Sequence, residues 1–140
     1  MRRINIHDFS LFPGLRHATI SDDSGEDFYH TVLNKEFKEA FEQEEKFVVM
    51  LDYVDAYTSS FLDEAFGNLI YDFGLKEVSK LISFISEEEP HWIDMIIKKT
   101  FPQWEERRKK KEPPIVTKRH APWYRLINDN LLLKEREVPA

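Results

Sequence analysis

The side chains best suited to chemistry lie between positions 52 and 64. There, Asp52-Tyr53-Val54-Asp55-Ala56-Tyr57-Thr58-Ser59-Ser60-Phe61-Leu62-Asp63-Glu64 sets three consecutive hydroxyls between two pairs of carboxylates. A hydroxyl just before a helix accepts a hydrogen bond from an N–H in its first turn. A phosphate at the same place is held by those N–H groups and by the helix dipole. Thr58, Ser59 and Ser60 are therefore candidates for phosphorylation and, with Asp63 and Glu64, for contact with a partner. The modification would bring about two negative charges at pH 7 without asking for a new fold. A plainly capped helix is the alternative, with Ser59 or Ser60 as the cap.

Two other chemistries compete. Clustered carboxylates can hold magnesium, so Asp52, Asp55 and Asp63 admit a metal-hydrolase reading. Against it, no ligand set of defined spacing is present, and Asp63 and Glu64 suit the first turn of a helix as they stand. His7, His17, His30, His91 and His120 form no zinc-binding arrangement, and cysteine is absent. No P-loop, nucleophile elbow or dinucleotide fingerprint occurs. The expectation is a non-catalytic chain with no catalytic residues, metal or cofactor. The second competitor is the basic run Arg107, Arg108, Lys109, Lys110 and Lys111, followed by Lys118, Arg119, His120, Trp123, Tyr124 and Arg125. Interleaved cations and aromatics suit a nucleic-acid-binding arm. A formal charge of −6 and a pI near 5.4 argue for a solvated helix end and tail instead. Nucleic acid is accordingly not the expected partner.

These residues must be positioned by elements that the apolar pattern outlines. Arg3 to Phe9 reads as a first strand and Arg16 to Ile20 as a short second one, with the Phe12-Pro13-Gly14 turn between them. Ser24 precedes Asp27 in a capping pattern, and Tyr29, Leu33, Phe37, Ala40 and Phe41 share one face of a helix over 24–45. Phe47-Val48-Val49-Met50-Leu51 is wholly apolar, as a central strand buried on both faces requires. A helix follows the hydroxyl turn and stops at Gly74, and Leu81 to Ile85 supplies a third core strand. Another helix begins near Pro90, and Pro102 should kink or end it. Ile115-Val116 suits an edge strand, and Trp123 to Leu133 either a docked helix or an extended arm. The alternation predicts an α/β fold with a small mixed, mostly parallel sheet and flanking helices. No apolar run nears the ~20 residues of a membrane span, and no apolar segment follows the N-terminal arginines. The expected compartment is the cytoplasm, with no membrane partner.

The stretch from Val48 to Gly67, with its Ser-Ser-Phe-Leu-Asp-Glu-Ala-Phe-Gly core at 59–67, resembles the STAS-like family of unknown function. Ser24-Gly25-Glu26 and the strand at Leu81–Ile85 resemble it as well, so the likeness covers about residues 3–100. The family is similar to the STAS domains of anti-sigma-factor antagonists, where a serine at a helix start is phosphorylated by a kinase of the histidine-kinase-like ATPase fold. The resemblance implies a STAS-like fold and a regulatory protein-interaction module, with such an ATPase as partner. Position by position, it places the phosphorylated serine at Ser59, the next hydroxyl at Ser60 and the leucine at Leu62. Thr58 stands where those domains have Asp, and Phe61 where they have Gly. The expected organisation is a STAS-like domain over 1–105 and a basic extension over 106–140, partly docked or flexible.

Overall fold

A computed structural model describes residues 1–135. Its sheet has three strands, β1 (Arg2–Asn5), β2 (Phe47–Met50) and β3 (Ile82–Ile85), all parallel in the order β1-β2-β3. Ile4, Val49 and Phe84 lie in register on one face, and the core forms there with Phe47 and Ile82. Val48 and Met50 point to the other face yet are each only 8% exposed, so the apolar run is central and buried as expected.

Five helices join the strands. After the single turn α1 (Ile6–Phe9), helix α2 spans 25–43 and α3 is Ser59–Phe73. The short helix α4 (Leu75–Leu81) leads into β3, and α5 spans 91–109. Ser24 caps α2 by accepting from Asp27 N at 3.0 Å. The helix buries Phe28, Tyr29, Leu33, Phe37 and Ala40 and ends at Glu44, whose φ of 52° is left-handed. Helix α3 packs closely on α5 because Gly67 leaves room for Trp104; a Cβ at Gly67 would lie 2.1 Å from its ring. Gly74, at φ 86°, ends α3 in a conformation that disfavours a side chain.

Several expectations are corrected. The first strand stops at Asn5, and Ile6–Phe9 turns into α1. Arg16–Ile20 is not a strand: Leu15 O and Arg16 O accept from Gly25 N and Glu26 N, so this backbone serves the start of α2 rather than a sheet. Pro102 does not end α5. Residues Ile96–Thr100 form a π turn, Phe101 N bonds back to Ile96 O, and the shifted ladder lets the proline enter the next turn. Ile115-Val116 pairs with no strand among the described residues, although Val116 is buried. Trp123 to Leu133 is neither a helix nor a single extended arm. It is an antiparallel hairpin of β4 (Trp123–Ile127) and β5 (Asn130–Lys134), turned by Asn128 and Asp129 at φ 49° and 65°.

The segment after Lys111 lies on the helices through buried polar contacts. Asn34 of α2 donates to Tyr124 O and accepts from Tyr124 N, both at 2.9 Å, as a neighbouring strand would. Trp123 is 4% exposed.

Candidate interaction site at the start of the third helix

The three hydroxyls have different positions and duties. Thr58 Oγ1 accepts from Phe61 N at 3.1 Å, donates to Gly14 O at 3.0 Å and lies 3.1 Å from Ser60 Oγ. Thr58 is therefore the cap of α3, which corrects the expectation that Ser59 or Ser60 fills that position. Ser59, the first helical residue, is exposed and its hydroxyl makes no hydrogen bond among the described residues. The extended φ and ψ of Thr58 (−98°, 149°) bring the chain into the helix so that its cap faces Gly14 while the next side chain faces water.

Asp63 and Glu64 turn the other way. Arg16 Nη1 donates to Asp63 at 2.7 Å and to Glu64 at 3.1 Å; Asp63 also accepts from Thr100 Oγ1 at 3.0 Å. Glu64 is buried, with Asn68 Nδ2 donating to it at 2.8 Å, and burial holds its carboxyl above the ordinary value. These acids fasten the 15–18 loop to α3, and Glu64 is out of reach of a partner.

Asp52 closes the loop after β3, accepting from Ser86 Oγ at 2.8 Å, Glu87 N at 2.7 Å and Glu88 N at 3.4 Å. Burial works to raise its carboxyl, but the bonds from Glu87, Ser86 and Glu88 outweigh it and hold it below the ordinary value. Asp55 is exposed and separate. Asp52, Asp55 and Asp63 thus do not converge, and no group of three such side chains suited to a metal occurs among the described residues.

All three strands point their C-terminal ends at this side of the molecule, where open parallel sheets bind ligands. The loops there join directly: Asp55 N donates to Leu11 O at 2.7 Å, and the His7 and Tyr53 rings meet edge-on at 5.7 Å. They leave Leu11 55%, Phe12 68%, Leu15 42% and Tyr53 64% exposed beside the hydroxyl turn. Asp8, Asp22, Asp23, Asp55 and Glu87 to Glu89 are exposed on the same loops.

The basic run lies at the far end of α3, about 22 Å away for 15 helical residues. Arg107 stacks over Trp104 at 4.1 Å and donates to Pro113 O, Arg108 pairs with Glu105 and Lys109 with Glu106. Lys110 and Lys111 are exposed at the helix C-terminus, where cations are favoured by its dipole.

Two buried polar clusters escape the sequence reading. Glu26, 1% exposed, accepts from His120 Nε2 and Thr117 Oγ1 at 2.6 Å each, Thr117 N at 2.9 Å and Ala18 N at 3.1 Å. Burial opposes its charge, yet the bonds from His120, Thr117 and Ala18 hold the carboxyl far below the ordinary value. The His120 ring stacks on His30 at 4.2 Å. Burial, reinforced by His120, lowers His30 to about 3. In the second cluster Asp72 accepts from Arg125 Nε and from the Tyr29 hydroxyl, which Asn34 also contacts at 2.9 Å. The one signal in the sequence is Asp72 itself, an acid set among the apolar residues Leu69, Ile70, Tyr71 and Phe73.

An open, wholly parallel α/β sheet with a hydroxyl turn at its C-terminal edge defines the class of this protein. Residues 24–92 match the family model described as the STAS-like domain of unknown function (DUF4325). The match takes in Ser24, the hydroxyl turn and the whole of α3. No curated protein and no solved structure matches the chain.

Proposed function

We propose that this chain is a regulatory protein-interaction module that works by binding rather than by catalysis. Its contact surface is the Thr58–Ser60 turn with the apolar loop residues beside it, and phosphorylation of Ser59 switches it. The observation that carries this reading is the separation of duties at the turn. Thr58 caps the helix and ties it to Gly14, so the exposed Ser59 hydroxyl has no structural task. A phosphate on Ser59 would meet the helix N-terminus without disturbing the cap. Exposed Phe12 and Tyr53 are the kind of aromatic anchors that partner surfaces use. The partner of the reading is an ATPase or serine kinase of the histidine-kinase-like fold, in the cytoplasm, with neither nucleic acid nor membrane engaged. No helix among the described residues is long and apolar enough to cross a membrane. The test titrates such an ATPase, chosen from the neighbouring genes, with wild type, Ser59→Asp and Ser59→Ala, using thermal melts as the folding control. Weakened or redirected binding by Ser59→Asp alone is expected. Equal binding by all three removes the switch from Ser59.

A further inference from the structure

A cavity of about 220 Å³ lies between α2, α3 and the segment after Lys111, at a distance from the hydroxyl turn and independent of its role. Its apolar wall is Val116 and the Trp123 indole, which packs edge-on to His30 at 4.5 Å. A body of about ten heavy atoms suits such a space, and the indole favours a flat one.

Two polar side chains line the cavity, and one of them carries an unmatched buried atom. His30 is 3% exposed and its Nδ1 has no hydrogen-bond partner. Because burial lowers it to about 3, the ring is neutral at physiological pH and offers one donor and one acceptor. Asn68, also 3% exposed, donates to both Glu64 O at 2.7 Å and Glu64 Oε2 at 2.8 Å. Its amide hydrogens are committed, and its Oδ1 accepts no hydrogen bond among the described residues. Buried polar groups are nearly always matched, so an unmatched one beside a cavity points to a bound molecule.

Charge at the rim narrows the choice. Arg125 is paired with Asp72, and Glu135 with Arg119 at 3.0 Å. Lys134 makes no close ion pair among the described residues, although its charge also acts on Asp72, and with the other rim charges paired one net positive charge is left.

We propose that this cavity binds a small planar aromatic monocarboxylate carrying a ring hydroxyl or N–H. The carboxylate meets Lys134, the ring lies against Trp123, and the ring donor meets Asn68 or the acceptor nitrogen of His30. Ligands of about ten heavy atoms bind with dissociation constants from millimolar to micromolar.

The experiment titrates 4-hydroxybenzoate, benzoate and 4-hydroxybenzamide into the full chain, followed by NMR with the Trp123 indole resonance assigned and by calorimetry. The first removes neither feature, the second removes the donor and the third the charge. The expected result is saturable binding of 4-hydroxybenzoate that shifts the Trp123 resonance and is at least about tenfold tighter than either analogue. Lys134→Gln, a substitution at the rim, should reduce 4-hydroxybenzoate to the level of the benzamide and leave the benzamide unchanged. No saturable binding below about 10 mM overturns the proposal. So does a Lys134→Gln protein that binds 4-hydroxybenzoate as wild type does, or benzoate binding equal to 4-hydroxybenzoate.

Discussion

The hydroxyl turn at 58–60 and the seam beneath the C-terminal segment are both polar, and they differ in what surrounds the polar atoms. At the turn, Ser59 is exposed and water satisfies whatever the protein does not. In the seam, Glu26 and Asp72 are each 1% exposed, and Thr117, His120 and Arg125 are among the partners that make their charges tolerable. A surface hydroxyl can therefore change its chemistry while the fold stands, whereas a buried carboxylate loses its solvation when its partners leave. This domain keeps its adaptable chemistry and its structural polarity in separate places.

The largest effect that tests this contrast comes from ending the chain after Lys111. That deletion strips Glu26 of Thr117 and His120, strips Asp72 of Arg125, and uncovers the surfaces that Val116 and Trp123 cover. Breaking one buried charge pair costs about 3–5 kcal/mol, and two such losses approach the whole stability of a small domain. Urea unfolding should show no cooperative transition. An unchanged midpoint would make the segment an appendage and dissolve the contrast. Arg125→Ala isolates one pair, leaving Asp72 with the Tyr29 hydroxyl and the more distant charge of Lys134. It should lower stability by about 3–5 kcal/mol.

Acid provides an intermediate effect. His30 titrates near 3 in the folded chain, against about 6.5 when unfolded. Between those values the unfolded state takes up a proton that the folded state refuses, so stability is lost as pH falls below about 6.5. The limiting slope is about 1.4 kcal/mol per pH unit for one proton. Glu26, with its carboxyl lowered, adds loss below its unfolded value of about 4.3. Glu64 and Asp72, raised by burial, act in the opposite sense. Urea midpoints of wild type and His30→Phe between pH 7 and 5 separate the first contribution from the rest. Parallel curves for the two proteins would place the His30 proton elsewhere.

The smallest effects lie at the turn. Thr58→Ala should cost about 0.5–2 kcal/mol, the value of an N-cap. Ser59→Ala should change stability by less than about 0.5 kcal/mol, as surface substitutions do. Thermal melts of the two variants compare cap and candidate switch within one residue of each other. A larger loss at Ser59 would mean that its hydroxyl is structural after all.

Much of the scaffold is legible because apolar period and punctuation agree. The uninterrupted Phe47–Leu51 run, the stripe on α2 and the stop at Gly74 each follow from local chemistry. What was not legible depends on partners distant in sequence. The start of α2 claims the backbone of Leu15 and Arg16, so no strand forms there. A π turn makes room for Pro102, and nothing in the composition announces it. The choice of Thr58 as cap is set by Gly14 O, 44 residues away, to which Thr58 Oγ1 donates. Glu26 gives no local sign of its role, because its partners at 117–120 follow more than 90 residues later.

That last separation has a consequence for how the protein is made. Thr117 and His120 lie 91 and 94 positions after Glu26. At about 5–20 residues per second, translation leaves roughly 5–20 s in which α2 exists but the groups that neutralise its buried carboxylate do not. During that interval Glu26 has to stay hydrated, so α2 cannot settle into its final place. The nascent chain stays open at that seam until residues 117–120 emerge, and their arrival becomes the event that licenses the fold.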